Sequence, residues 1–274
     1  MIVFSNCKIN IGLNIINKRD DGYHDLETVF YPLPVYDVIE LIDAGETSLT
    51  VKGLDIPGKI EDNIVLSAYR LLKKDFSNLP PVHFYLLKNI PAGAGLGAGS
   101  ANGAFTLIAL NKKFHLNLST EQLINYALQL GSDCPFFVIN QPCVATGRGE
   151  KMEPVTIDLS NNKIVIVNPG IHISTPWAFQ QLHPQTPQHP IKDLISKPFK
   201  KWKDFITNDF ETPVFNAHPD IAAIKNKLYE YGAEFAIMTG SGSTVYGLFE
   251  KKKKINLSFP SHYFVKELDL SETN

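Results

Sequence analysis

The stretch Pro91-Ala-Gly-Ala-Gly-Leu-Gly-Ala-Gly-Ser-Ala-Asn102 decides how the rest of this chain is read. Glycine stands at 93, 95, 97 and 99, every second position, and Ser100 follows. Such density costs chain entropy, which makes sense where the backbone must approach another group closely. Upstream, Val82 to Leu87 reads as a strand. Downstream, Ala104, Leu107, Ile108 and Asn111 fall at helical spacing. A glycine loop between a strand and a helix gathers backbone N–H groups at a helix N-terminus. That arrangement holds an anion, and phosphate is the natural candidate. The loop fits neither common phosphate fingerprint. Starting G-x-G-x-x-G at Gly93, Gly95 or Gly97 puts Ala98, Ser100 or Asn102 where the last glycine belongs, and no Gly-Lys-Ser/Thr follows. On the loop alone, a flexible or tightly packed turn stays open as the alternative.

Towards the N-terminus, Asp62 is placed to cap a helix through Ile64, Ala68, Leu71 and Leu72. Phe30 to Ile42 reads as one or two strands. Residues 1–16 alternate: Ile9, Ile11, Leu13 and Ile15 share one face, and Lys8, Asn10, Gly12 and Asn14 share the other. A core face is thus backed by a face carrying a cation and amides. A turn follows at Arg19-Asp20-Asp21-Gly22, where Gly22 supplies a positive φ. Towards the C-terminus, Ser119 and Gln122 form a capping box for a helix with the stripe Leu123, Tyr126, Ala127 and Leu130, ended by Gly131. Ile164 to Val167 is a buried strand. The proline-bearing segment from His183 to Pro198 carries few periodic signals and reads as a mobile connection. Ile221 to Tyr231 is a helix, and Glu234 to Met238 and Ser243 to Phe249 are strands around a glycine turn. The run Lys251 to Lys254 reads as a solvated turn.

A length of 274 residues suits one large domain or two lobes. With 44% hydrophobic and 20% charged residues, the composition is that of an ordinary soluble globular protein. A formal net charge of -2 argues against a general nucleic-acid binder. Cys7, Cys134 and Cys143 form no C-x-x-C pair and suggest no disulfide framework. Asn6, Lys8 and Asn10 interrupt the N-terminal apolar residues, so no signal peptide is expected, and no run reaches a membrane span. The expected compartment is the cytoplasm. The histidines show no H-E-x-x-H or comparable spacing for zinc.

The glycine stretch resembles the phosphate-binding motif of the GHMP kinases, which include galactose, homoserine, mevalonate and phosphomevalonate kinases. Cys7-Lys8-Ile9-Asn10-Ile11-Gly12-Leu13 resembles the first motif of that family, and Met238-Thr239-Gly240-Ser241-Gly242-Ser243-Thr244 its C-terminal glycine motif. Asp21-Gly22-Tyr23-His24, Gly131-Ser132-Asp133-Cys134-Pro135-Phe136-Phe137, Gly147-Arg148-Gly149-Glu150, Asn168-Pro169-Gly170 and Ser174-Thr175-Pro176 are similar to segments of one branch. That branch phosphorylates the 2-hydroxyl of 4-diphosphocytidyl-2-C-methyl-D-erythritol, a step in the non-mevalonate route to isoprenoid precursors. The family loop often has Ser-Ser where this chain has Ser100-Ala101. The resemblance implies an α+β, two-lobed fold: an N-terminal mixed α/β lobe (1–156) with the phosphate loop, and a C-terminal ferredoxin-like lobe (157–274), with the substrate in the cleft. It implies ATP and Mg²⁺, a small-molecule partner with no nucleic acid or membrane, and a monomer or weak homodimer.

Residue by residue, the resemblance makes Asp133 the general base and Lys8 its partner cation. From spacing alone, Asp-x-Pro reads as a helix N-cap, and one strand lysine as a solvated residue. ATP falls to Pro91, Ala92, Gly93, Ala94, Gly95, Leu96, Gly97, Ala98, Gly99, Ser100 and Ala101. Asn63 is placed on the adenine side, with a capping or turn role as the equal alternative. Ser100 also serves as a candidate magnesium ligand, with N-capping as the competing role. The acceptor falls to Asn10, Tyr23, His24, Thr175 and Phe179. Tyr23 stacks on the cytosine, His24 bonds its edge, and Phe179 covers its other face. Without the resemblance Asn10 is a turn or edge-strand amide, Tyr23 a core tyrosine, His24 a surface histidine and Phe179 a packed phenylalanine. Cys134 is rejected as a nucleophile because no histidine base is indicated beside it. A non-catalytic nucleotide or metabolite sensor, another kinase of the family, and an interaction domain with a structural glycine turn remain the rival functions.

Overall fold

The computed structural model describes residues 1–270 of the chain. The chain forms two compact units, each assembled from several pieces of sequence. Met1–Lys8, Pro32–Ala92 and Gly97–Gln141 make the first; Ile9–Tyr31, Gly93–Leu96 and the chain from Pro142 onward make the second. Two long strands, β1 (Ile2–Lys18) and β2 (His24–Asp43), contribute to both. Where one or two strands are expected at Phe30 to Ile42, β2 is a single strand.

In the first unit come β3 (Ser48–Gly53), α1 (Ile64–Asp75) and β4 (Val82–Lys88). β4 pairs antiparallel with the end of β2, Val38 facing Leu87, and parallel with β3, Ser48 facing His83. Alternation puts Val82, Phe84 and Leu86 inside together with Ile39 and Leu41. Then follow α2 (Ala98–Lys113), α3 (Thr120–Leu130) and α4 (Cys134–Ile139), with α2 packed on all three of the other helices. Phe84, Phe136 and Phe137 are almost wholly buried; such a side chain stabilises by about 1.5–3 kcal/mol over an exposed one. The capping box of α3 is complete, as the sequence predicts: Ser119 Oγ accepts from Gln122 N at 3.2 Å and Gln122 Oε1 from Ser119 N at 2.8 Å. The cap of α1 differs from expectation. Asn63, not Asp62, is the N-cap, and its Oδ1 accepts from Val65 N at 3.0 Å; Asp62 ends a preceding 3₁₀ turn.

In the second unit, β5 (Cys143–Gly147) pairs with the start of β2 and with β6 (Lys151–Pro154). Next are β7 (Asn162–Asn168), α5 (Thr175–Gln180), α6 (Ile191–Ile195), α7 (Glu211–Ala217), α8 (Pro219–Glu230), β8 (Phe235–Met238), β9 (Val245–Glu250) and β10 (Phe264–Asp269). The last strands form an antiparallel sheet in the order β10-β7-β9-β8, with α8 packed against β8 and β9. Val165, Val167, Ile221, Leu228, Met238 and Val245 sit in its core. This is the helix-on-antiparallel-sheet arrangement expected for the C-terminal half.

Residues 183–198 are not a loose connection. They contain α6, Gln185 N donates to Ile15 O at 3.0 Å, and Ile191 N donates to Glu27 Oε2 at 3.1 Å. Ile191 is buried. Prolines erase the periodicity, while long-range backbone bonds and single apolar anchors hold the segment. The polar face of β1 is also an interior face: every residue from Ser5 to Ile15 is buried, Lys8 and Asn10 included. Among the described residues, no helix is long and apolar enough to cross a membrane.

Candidate active site

Gly93, Gly95 and Gly97 adopt φ of +65°, +79° and +68°, the left-handed region that favours glycine. Gly97 is the N-cap of α2 and has no side chain to cap it. The N–H groups of that first turn therefore point out without an intrahelical acceptor, which suits an anion. The missing side chain also makes room for Lys8. A Cβ on Gly97 would lie 3.1 Å from both Cγ and Cε of Lys8 and 3.0 Å from Phe137 Cζ.

Lys8 Nζ lies 3.4 Å from Asp133 Oδ2, with the lysine side chain 4% exposed and the aspartate 36%. Asp133 occupies the N-cap position of α4, as Asp-x-Pro suggests, yet it makes no side-chain capping bond. Its carboxylate faces the ammonium instead, so position and chemistry separate. Ser100, in the first turn of α2, hydrogen-bonds with the Cys134 side chain. Burial pushes the Cys134 thiol up to about 12, and a thiol held protonated is no nucleophile. The loop exit, Lys8, Asp133 and Ser100 thus converge within the first unit.

In the second unit, Asn10 is locked from several sides. Its Nδ2 donates to Thr28 Oγ1 at 2.9 Å, and that hydroxyl donates to Gly12 O at 2.6 Å. Asn10 N donates to Thr239 Oγ1 at 2.9 Å. The Thr239 hydroxyl proton is shared between Asn10 Oδ1 at 3.2 Å and Gly95 O at 3.1 Å. Asn208 braces the same turn, donating to Met238 O at 2.8 Å and Gly240 O at 2.9 Å. The C-terminal glycine motif therefore holds Asn10 and the middle of the phosphate loop together. The sequence marks that motif but assigns Thr239 no role, because its partners lie far away in the chain.

The aromatic residues also gather in the second unit. Arg19 N donates to Tyr23 O at 2.8 Å, Asp21 Oδ1 accepts from Tyr23 N at 3.1 Å, and Gly22 takes φ +84°. This turn presents Tyr23, which is half exposed. The Arg148 guanidinium lies 3.8 Å from its ring centroid, a cation–π contact that the Gly-Arg-Gly-Glu motif did not assign. His24 stacks on Phe179 with centroids 4.7 Å apart and planes 19° apart. Burial, and then Lys18, hold the His24 pKa below its usual value. Thr175 Oγ1 and Ser241 Oγ are 3.1 Å apart. Asn63 caps α1 through Oδ1. Among the described residues, no cluster of three or more His, Cys, Asp or Glu side chains is placed to hold a metal ion. Mg²⁺ needs no such cage when it arrives on phosphate oxygens.

The family described as GHMP kinases N terminal domain matches residues 63–141, and GHMP kinases C terminal matches residues 191–257. A relative from Bacteroides fragilis (strain YCH46), named 4-diphosphocytidyl-2-C-methyl-D-erythritol kinase, is 49% identical over 93% of this chain and 94% of its own length. The chain belongs to that kinase family, within the GHMP kinases. A crystal structure of 4-(cytidine 5'-diphospho)-2C-methyl-D-erythritol kinase matches this kinase at TM-score 0.78 and 28% identity, covering 90% of each chain. A homoserine kinase from Cytophaga hutchinsonii, at TM-score 0.62 and 16% identity over 90% of this chain and 86% of its own, shares the fold alone. The kinase is thus an enzyme of the family, and its α+β fold is the family's.

Proposed function

We propose that the chain transfers the γ-phosphoryl group of ATP to the 2-hydroxyl of 4-diphosphocytidyl-2-C-methyl-D-erythritol. The observation that carries this reading is the 3.4 Å Lys8–Asp133 pair set against Gly97, the exit of an uncapped glycine loop. Phosphoryl transfer asks for little covalent work and much positioning and charge stabilisation. Residues Pro91 to Ala101 hold the triphosphate through backbone N–H groups. Asp133, its carboxylate facing the Lys8 ammonium at 3.4 Å, accepts the proton of the attacking hydroxyl. The Lys8 ammonium stabilises the charge spread over the transferring group. When bound, Mg²⁺ offsets the charge of the triphosphate, and the Ser100 hydroxyl is the side chain that would reach it.

Asn10, with its amide orientation fixed, directs the acceptor hydroxyl. Tyr23, His24 and Phe179 take the cytosine, and Thr175 lies at the start of the helix that carries Phe179. For the base to enter, His24 must leave the face of Phe179, and a neutral imidazole is suited to bond the base edge. Asn63 contributes on the adenine side while capping α1. The division into 1–156 and 157–274 is one of sequence, with the two family matches on either side of it and residues 271–274 outside the described part. The compact units cut across it, since Ile9–Tyr31 and the chain from Pro142 onward fall in the second.

The test is ADP release with ATP and the cytidylyl acceptor beside homoserine and mevalonate. Turnover with the cytidylyl acceptor alone is expected. Preference for homoserine or mevalonate would give the chain a different acceptor within the family, and nucleotide binding with no ADP release would make it a sensor.

A further inference from the structure

Sequence parity contains an anomaly that the function above does not use. Along β2, Val35, Asp37, Ile39 and Leu41 share the buried face, and along β4 so do Val82, Phe84, Leu86 and Lys88. One charge of each sign therefore sits on a core face. Asp37 is 0% exposed and Lys88 is 2% exposed, and they form an ion pair. The pair is not isolated. Asp37 Oδ1 accepts from Asn89 N at 2.8 Å and Ile90 N at 3.0 Å. Asp37 Oδ2 accepts from Lys88 Nζ and from Asn102 Nδ2, the latter at 3.0 Å. Lys88 Nζ also donates to Asn102 Oδ1 at 3.2 Å, and Asn102 Nδ2 reaches Ser5 Oγ at 3.1 Å. Burial pulls the Lys88 pKa down, and the Asp37 carboxylate opposes that pull.

Residues 88–90 are the entry to the phosphate loop, immediately before Pro91. Asn102 lies just past its exit, in the second turn of α2. We infer that Asp37 is a positioning residue for the nucleotide: one buried carboxylate ties both ends of the phosphate loop and so sets the spread of its N–H groups. This rests on the reading that the loop binds the triphosphate. Buried ion pairs are poor devices for stability, since apolar or neutral replacements of similar volume are often as stable. Geometry is what this one supplies: the carboxylate gathers backbone and side-chain donors from both ends, which an apolar pair cannot do.

The test compares Asp37→Asn, Asn102→Leu and the double substitution Asp37→Asn with Lys88→Met. Thermal midpoint, KM for ATP, KM for the acceptor and Kd for ADP are measured on each. Asp37→Asn leaves a buried ammonium unpaired and is expected to lower the midpoint. The double variant should regain most of that loss. In the double variant and in Asn102→Leu, KM for ATP and Kd for ADP should stay raised ~10-fold or more, the effect typical of removing a supporting shell. KM for the acceptor should move less than about 2-fold, as for uniform binding left untouched. A double variant with wild-type KM for ATP, or an equal rise for both substrates, would overturn the inference. Wild-type protein that binds no ADP would sink the functional reading too, whereas wild-type binding with unchanged variants sinks this inference alone.

Discussion

At the residue scale, Asp133 could be a helix cap or a base, and the structure parts the two: the residue stands at the cap position but offers its carboxylate to Lys8. Replacing Asp133 with Asn therefore takes no capping bond from α4 and removes the proton acceptor. The expected result is folded protein with kcat reduced at least ~100-fold, read by steady-state ADP release beside circular dichroism. His24 supplies a pH signature. Burial and Lys18 hold its pKa below 6.5, so it is neutral at neutral pH and gains its proton only in acid. KM for the cytidylyl acceptor should be flat from about pH 8 to about pH 7 and rise as pH falls through that lowered pKa, with His24→Asn abolishing the rise. A KM that falls in acid would mean that the charged imidazole binds the acceptor better.

Elements divide into those whose signals are local and those that depend on distant partners. The capping box at Ser119 and Gln122 was legible because its bonds span three residues. The alternation of β1 was legible too, but not that its polar face is interior, since Lys8 finds Asp133 at the far end of the unit's sequence. The edge strand β10, Phe-Val-Lys-Glu-Leu-Asp, has no clean alternation and is fixed by its register with β7. Asp37 and Lys88 drew no reading from the sequence, because their joint hold on the loop ends appears only in three dimensions. The glycines of the loop make a paired prediction. A Cβ on Gly95 would lie 2.1 Å from Thr239 O at φ +79°. Gly95→Ala should cost at least ~1–3 kcal/mol in a denaturant titration. A Cβ on Gly99 meets nothing within 4 Å, and its φ is not left-handed. Gly99→Ala should stabilise α2 by up to ~1 kcal/mol while raising KM for ATP, the outcome expected under the proposal that this loop holds the triphosphate.

For the whole molecule, the chain crosses repeatedly from one compact unit to the other, and the phosphate loop itself is shared: Gly93–Leu96 belongs to the second unit, the rest to the first. Family resemblance implied an α+β fold of two lobes in sequence order, not this interleaving; composition and periodicity alone reached only an ordinary globular chain with strands, helices and a glycine loop. Nucleotide binding to such a loop must raise global stability, by ~2.7 kcal/mol at a hundred times its Kd. ADP in a thermal melt should show it, and Gly95→Ala should lose it. The most direct test of the account is the proton-coupled ³¹P spectrum of the product formed from ATP and 4-diphosphocytidyl-2-C-methyl-D-erythritol. The 2-carbon bears the methyl group and no hydrogen, so transfer to its hydroxyl predicts a new monoester singlet. A monoester doublet or triplet would place the phosphate on another hydroxyl and contradict the account, as would no new monoester at all.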